Sequence, residues 1–556
     1  WEPISSDLTL NQERMSFPYY GKTQSWDNAW DVGAMSNYNT ITSLAESPKQ
    51  EGLLYAGTDD GLIQVTEDEG VTWKKIVLNS VKGLPNTPFV NDVRADLFDV
   101  NVVYAALDNH KYGDYSPYII KSSDKGKSWK IINGDLPNKL LIWRLVQDHV
   151  NKNLLFAATE FGVYFTTNSG KNWIQLKGGM PTIPIRDIKI QRRENDLVAG
   201  SFGRGIFILD DITPLRTFNK NMMSTEATMF PVKDAHWYRE SSRVGSQGDA
   251  EWIAKNPPFG ANFTYFMPNK IKSKKEVRRA KEKKGNAQFP GWDALEEESR
   301  EDGPSIMLVI KDKNGNVVNT IKGTNRKGFN RVNWRLNYPS KRGERLQSST
   351  RRGFNRGGGV MVTPGTYSVT LEKRINGIHT TLQEPVNFEV VPLFEGTLPR
   401  KSNEVINNFR DDVTAFQQDL TSTNISLSRS LKTTNAMLRA LNKASRPTNE
   451  LFKKLNSTKI LLLTIDKELN GDSVKDEIGE RSNPSASDGG SLGWTAFGNT
   501  YGPTDEHMRL LNRVKSQLKK VKNKLFPIVN STLPSLRNEL IKTGAPWIEG
   551  QGLIKD

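Results

Sequence analysis

Residues 66–73 read TEDEGVTW, residues 122–129 read SSDKGKSW and residues 166–173 read TTNSGKNW. Aligned on their tryptophans, the three share the pattern Ser/Thr-x-Asp/Asn-x-Gly-x-polar-Trp. The copies are Thr66, Asp68, Gly70, Trp73; Ser122, Asp124, Gly126, Trp129; and Thr166, Asn168, Gly170, Trp173. An Asp or Asn closes a turn by accepting backbone N–H groups a few residues on. Glycine supplies a positive φ without steric cost, and the indole offers a broad apolar face to a neighbour. These are scaffold roles rather than catalytic ones. Each copy follows two short apolar runs: LLYAGT and LIQVT, VVYAAL and YIIKS, LLFAAT and VYFTT.

A repeat of this length with several strands per unit predicts β-propeller blades. The first blade is expected as strands near 40–47, 53–58, 62–67 and 72–77, the second within 90–131 and the third within 141–176. A fourth unit at 185–210 has three strand-like runs and no Asp/Gly/Trp box, so it requires an outer strand from elsewhere.

The motif resembles the Asp-box (BNR) repeat of sialidase-like and sortilin-like propellers. TITSLAESP (40–48), GTDDG (57–61), ATEFGVY (158–164) and GRGIFILDDITPL (203–215) are similar to a family of secreted bacterial proteins common in Bacteroidota. Its members are often labelled glycosyl hydrolases. Where that family often has Thr-His-Gly-Arg, this chain has Ser201-Phe202-Gly203-Arg204. The opening WEPISSDL parallels WKIINGDL (129–136), which places Trp1 where Trp129 stands. The expectation is therefore the C-terminal part of a longer polypeptide. The resemblance implies a parent with two propellers, with the N-terminal propeller portion as this chain's partner.

The 556 residues include no cysteine, which excludes disulfides, thiolate metal sites and a cysteine nucleophile. The five histidines, His110, His149, His236, His379 and His507, are scattered, so no metal site and no cofactor is expected. The longest apolar run, ILLLTI (460–465), is far short of the roughly 18 residues a transmembrane helix needs. The net charge of +15 is unevenly spread. Residues 1–210 hold 22 basic and 25 acidic residues, leaving 55 basic and 37 acidic beyond them. The basic segments lack interleaved aromatics and the propeller is acidic, so no nucleic acid is expected as a partner.

Residues 1–215 are thus expected to be propeller and 216–255 a linker. Residues 256–395 carry strand patterns with turns at Asn314-Gly315 and Asn376-Gly377. Their order resembles the small Ig-like (FlgD-like) sandwich of exported bacterial enzymes. Two charged insertions interrupt it. KIKSKKEVRRAKEKK (270–284) has nine basic residues and is followed by the acidic ALEEESRED (294–302); KRGERLQSSTRRGFNRGGG (341–359) has six. The plain reading of the first is two helices whose charges pair; the sharper one is a polyanion patch. Residues 396–556 read as an antiparallel helical bundle. One apolar stripe runs through Ile406, Phe409, Val413, Phe416, Leu420, Leu427, Leu431 and Leu438, and a long exposed loop is expected at 471–502.

A site is expected at the turns between second and third strands of the blades. These hold Asp59 and Asp60, Asn109, Glu160, and Phe202 with Arg204. The aromatic-rich residues 11–38, including Trp26 and Trp30, are expected on the same face, either as a ligand platform or as glue. Asp59 or Asp60 with Glu160 are the candidate catalytic carboxylates, since glycoside hydrolysis needs two facing carboxyl groups. Trp26, Trp30, Asn109 and Arg204 are the candidate ligand-binding residues. A sialidase-like site would need three arginines and a tyrosine nucleophile; with only Arg204 and either Arg144 or Arg186 at hand, that set is not expected to assemble here. The favoured expectation is a binding protein for a glycan or polypeptide, exported to the extracellular or outer-membrane surface of a Gram-negative bacterium among other surface proteins. A glycoside hydrolase and a sortilin-like sorting receptor are the alternatives.

Overall fold

The structure, a computed structural model, describes all residues except 1, 20, 30–32, 34–37, 241–253, 255, 286–287, 342–357 and 553–556. Trp1, Trp30 and most of the second charged insertion therefore lie outside the described residues. The chain forms two compact units, residues 1–225 and 226–556.

The first unit is built of antiparallel sheets in four-strand groups. Blade 1 comprises Ile41–Glu46, Leu54–Thr58, Leu62–Thr66 and Lys74–Val77. Blade 2 comprises Phe89–Ala95, Val103–Asn109, Asp114–Ser122 and Lys130–Ile131. Blade 3 comprises Ile142–Gln147, Leu155–Thr159, Gly162–Thr166 and Ile174–Gln175. In each, consecutive strands pair as a meander. Blade 4 has the three strands Ile185–Gln191, Asp196–Ser201 and Ile206–Leu209. Its edge strand leaves Ile206 and Ile208 exposed. The first strand of each blade packs on the first strand of the next, so the sheets fan out like the blades of a propeller.

An apolar layer fills each gap between blades. Tyr55, Ile63, Val90, Val93 and Ile120 lie between blades 1 and 2. Tyr104, Ile119, Leu145 and Trp173 lie between 2 and 3. Phe156, Val163, Ile188 and Leu197 lie between 3 and 4. Middle strands such as Leu155–Thr159 are buried on both faces, which is why they read as unbroken apolar runs rather than alternating ones.

The three boxes form the turns their residues predict. Asp68 Oδ1 accepts the Thr72 N–H at 2.9 Å, and Thr66 Oγ1 accepts that of Gly70 at 2.9 Å. Ser122/Asp124 and Thr166/Asn168 repeat the pattern. Trp129 and Trp173 are buried and Trp73 is half-buried. The Trp173 indole N–H donates to the Ile132 carbonyl at 3.2 Å, on the preceding blade. In blade 1 the same bond runs from Trp73 to Ile4. Ile4 therefore meets the first box as Ile132 meets the third, in line with the parallel between WEPISSDL and WKIINGDL.

Helix α1 (Thr213–Thr217) caps blade 4 with Leu215. The stretch 216–255, expected as a linker, instead supplies two strands to the second unit. Thr228–Met229 pairs antiparallel with Ala261–Met267, and Ala235–Trp237 pairs parallel with Val386–Pro392. Short runs of two and three residues carry no period to read.

In the second unit, one sheet runs Ala235–Trp237, Val386–Pro392, Gly365–Ile375, Ser305–Asp312, Val317–Lys322. A second sheet contains Thr228–Met229, Ala261–Met267 and Gly328–Trp334. They share a core of Phe263, Tyr265, Leu308, Trp334, Tyr367 and Phe388. The Asn376-Gly377 turn has φ of 50° and 78°, as a two-residue hairpin requires. At the other hairpin only Gly315 is left-handed, and Asp312 closes a longer turn by accepting from Asn314 and Asn316.

Helices α2 (Lys274–Glu282) and α3 (Trp292–Arg300) pair their charges. The Arg278 guanidinium grips Glu298 through two bonds of 2.7 and 2.8 Å, and Lys274 reaches Glu297 at 3.0 Å. Helices α4 (Asn403–Leu441), α5 (Asn449–Asn470), α6 (Asp505–Pro527) and α7 (Leu533–Lys542) follow. The predicted stripe of α4 is buried from Ile406 to Leu427, while Leu431 and Leu438 are only partly buried. The expectation of an exposed loop at 471–502 is corrected. Ala486, Leu492, Ala496 and Phe497 are buried in the same core as α4 and α6. Among the described residues, no helix is long and apolar enough to cross a membrane.

Candidate functional site

The first strand of every blade carries a β-bulge at the same place. The register slips between Ile41 and Ser43, Val90 and Asp92, Ile142 and Arg144, and Ile185 and Asp187. The extra residues are Thr42, Asn91, Trp143 and Arg186. A bulge leaves one residue unpaired and re-aims its side chain. Here all four reach along the fan toward a neighbour. Thr42 Oγ1 donates to the Val90 carbonyl at 2.6 Å, and Asn91 Nδ2 donates to the Ile142 carbonyl at 2.8 Å. The Arg186 guanidinium lies over the Trp143 ring, 3.6 Å from its centroid.

The residue after the bulge stitches the same strands. Ser43 accepts the Val93 N–H and Asp92 accepts the Leu145 N–H, both at 2.9 Å. Burial raises the pKa of Asp92 against the pull of Arg94 and Arg144. Arg144 is committed to the Asn91 carbonyl at 2.6 Å and to Asp92 at 3.3 Å.

Around this row stand the turns between second and third strands. Trp143 Nε1 donates to Glu160 Oε2 at 3.1 Å. His110 meets the Trp143 ring edge-on at 5.9 Å, and its Nδ1 is bonded to the buried Asp108. Asn91 holds the other Asp108 oxygen at 2.7 Å. The ring centroid of Phe202, 68% exposed, lies 5.3 Å from the Arg186 guanidinium. Phe202, Arg186 and Trp143 make a ladder of ring, guanidinium and ring, flanked by Glu160 and the Asp108–His110 pair. A guanidinium laid on an indole is fixed in direction and keeps N–H edges for a ligand.

The residues expected at the site divide. Glu160 and Phe202 join the ladder. Arg204 is exposed on the same turn as Phe202. Asn109 turns to Asp114 at 3.5 Å instead. Asp59 and Asp60 are 5% and 1% exposed, which corrects their reading as mouth carboxylates. Asp59 accepts from the Thr40 N–H at 2.8 Å and its hydroxyl at 2.9 Å. Asp60 accepts from Thr58 and from the Leu10 N–H at 2.6 Å. Both fasten backbone, and both are close enough to Tyr38 to help burial push its pKa up to about 12. Trp26 is 62% exposed, and Trp30 lies outside the described residues. Tyr38 packs edge-on against Phe17 at 5.5 Å.

Sequence reading missed Asn91, Trp143, His110 and Asp108 as site residues, and named Arg186 only as a spare arginine. The available signal was the polar or oversized residue near the start of each first strand: I-T-S, V-N-D, I-W-R, I-R-D. Among the described residues, no group of three or more His, Cys, Asp or Glu side chains is placed to hold a metal.

No protein-family model matches the chain, and no curated protein matches it. Solved structures do. A Niastella koreensis GH74 enzyme is similar over 35% of this chain and 32% of its own, at 13% identity and a TM-score of 0.27. YCF48 bound to a D1 peptide is similar over 31% of this chain and 52% of its own, at 18% identity and 0.25. The extracellular domain of a hybrid two-component system from B. thetaiotaomicron is similar over 63% of this chain and 38% of its own, at 11% identity and 0.24. The chain thus spans between a third and about half of these structures. At such scores the likeness identifies neither substrate nor partner.

Proposed function

We propose that this chain is the ligand-binding portion of an exported or cell-surface Asp-box propeller protein, and that it holds a glycan or polypeptide over blades 2 to 4. The observation that carries this reading is the open ladder of Phe202, Arg186 and Trp143. Two bulged strands and one turn build it, and it ends in a large exposed ring beside unspent guanidinium edges. Exposed aromatic faces stack on sugar rings and grip peptide side chains alike. The burial of Asp59 and Asp60 favours binding over a hydrolase built on those carboxylates. In the second unit, the parallel pairing of Ala235–Trp237 with Val386–Pro392 supports an Ig-like module. That module and an antiparallel helical bundle would dock the protein in an envelope assembly, with the N-terminal propeller portion beside it.

A hydrolase is the second reading, favoured by one observation. Asp108 orients His110, whose ring is partly open, next to Glu160 and Trp143. An imidazole held this way serves as a general base. Hydrolysis would then run through His110 rather than Asp59 or Asp60.

A glycan array and a peptide library, each followed by assay for bond cleavage, test both readings. Binding that drops about ten-fold or more in Phe202→Ala and Arg186→Ala, without product release, is the expected result. Release abolished by His110→Ala would replace the binding reading with the hydrolytic one. Ligands that bind both variants as well as the parent would remove the ladder from the site.

A further inference from the structure

The second unit contains a cavity of about 780 Å³. Four pieces of chain converge on it: the strand Val317–Lys322, the ribbon of Asn337–Pro339 with Gly358–Met361, the first half of α4, and residues 490–497. Its volume falls in the range of about 300–1,000 Å³ typical of ligand clefts.

The walls are unequal in what they have left to offer. Trp494 is 78% exposed and Val317 is 60% exposed, so two apolar faces stand open in one concavity. The acids are already engaged. Asp312 is taken up by the backbone N–H groups of Asn314 and Asn316. Asp411 is held by Arg410 at 2.9 Å, and Arg410 lies on the Tyr338 ring at 4.0 Å. The cations are not all engaged. Arg239 is exposed and spends one N–H on the Phe497 carbonyl, and Lys341 stands exposed at the rim. Among the described residues the Gln417 amide nitrogen has no acceptor, but it is packed against Gly493 and closed off from the cavity. The lining therefore presents an uncovered indole and surplus positive charge.

From this we infer that the cavity is a binding site for a carboxylate-bearing saccharide, a uronic-acid type of sugar. The apolar C–H face of a pyranose fits the open indole of Trp494. A planar carboxylate matches the fork of the Arg239 guanidinium, with Lys341 adding charge at the rim. The Thr414 hydroxyl, which also lines the cavity, suits a ring hydroxyl. This site shares no residue with the ladder over blades 2 to 4 and stands or falls separately from it.

The test is calorimetric titration of the whole chain with a galacturonate trisaccharide, the matching neutral galactose trisaccharide and tri-glutamate. The acidic sugar is expected to bind at least about ten-fold more tightly than either comparator, a difference of about 1.4 kcal/mol. Trp494→Ala and Arg239→Ala should each weaken it about ten-fold. Trp494 is outside the packed core, so its loss should leave the melting temperature in place. Arg239→Lys, which keeps the charge without the fork, should recover only part of the affinity. Equal binding of the two trisaccharides overturns the carboxylate assignment, and equal binding of tri-glutamate overturns the sugar. An unchanged affinity in Trp494→Ala, or no binding of the acidic trisaccharide, overturns the site.

Discussion

The boxes of blades 1 and 2 use Asp68 and Asp124, while that of blade 3 uses Asn168. The difference has a thermodynamic signature. Hydrogen bonds to the ionised form, first from the Thr72 and Ser128 hydroxyls, lower both carboxyls to about 2 from an ordinary 3.8. A group whose pKa is depressed by folding stabilises the native state fully above its unfolded value, and that contribution is lost as pH falls through the folded value. The window here runs from near pH 4 down to about 2. Asn168 keeps the acceptor that meets Asn172, at 2.9 Å, and has no proton to take up. The double variant Asp68→Asn/Asp124→Asn, which lacks the charge, should therefore be less stable than the parent near pH 7 and approach it as the pH falls. Between pH 5 and 2.5 its urea midpoint should decline less steeply. Identical slopes for the two proteins across that range would refute the assignment.

Among the elements, α1 shows how little chain can anchor a blade. Arg216 donates twice to Asp148, both bonds at 2.9 Å, and once to Asn195 at 2.7 Å. Asp148 is fully buried and Arg216 is 11% exposed. Removing one partner of such a pair leaves an uncompensated charge, at a cost of about 3–5 kcal/mol. Arg216→Ala should lower stability by that amount in denaturant unfolding. A loss below about 1 kcal/mol, the ordinary value for an exposed pair, would show that water replaces the arginine. The strands tell a different story about legibility. The blade strands were readable because the two-run pattern before each box recurs three times. Their bulges were not, because a bulge is a mismatch between two strands and neither strand contains it alone. The 486–497 segment was misread for a related reason. Small and polar residues such as Ala486, Ser487 and Gly489 look like loop composition, yet they let the chain lie close against Phe416 and Val514.

On the scale of the whole molecule, the division into units 1–225 and 226–556 predicts separable unfolding. Each unit has its own buried layers, and independent cores melt as independent transitions. Trp334 is 1% exposed at the centre of the two-sheet core, in edge contact with Tyr367 at 5.7 Å. Trp334→Ala should destabilise the second unit by about 3–5 kcal/mol. Scanning calorimetry should show that transition shifted down and the transition of the first unit in place. One merged transition moving as a whole would mean that the two units unfold together.

By itself, the sequence determined the blades, the three box turns, the α4 stripe and the pairing of the charged helices, because each is written in neighbouring residues. A turn needs its Asp and Gly within five positions, and a helix face repeats every few residues. Tertiary structure alone decided the site. Trp143, Arg186, Asn91 and His110 come from three blades, and only the shared bulge aims three of them along one row. Tertiary structure also decided that Asp59 and Asp60 would be fasteners. A carboxylate in a turn serves water or backbone equally well until the packing around it shows which is within reach.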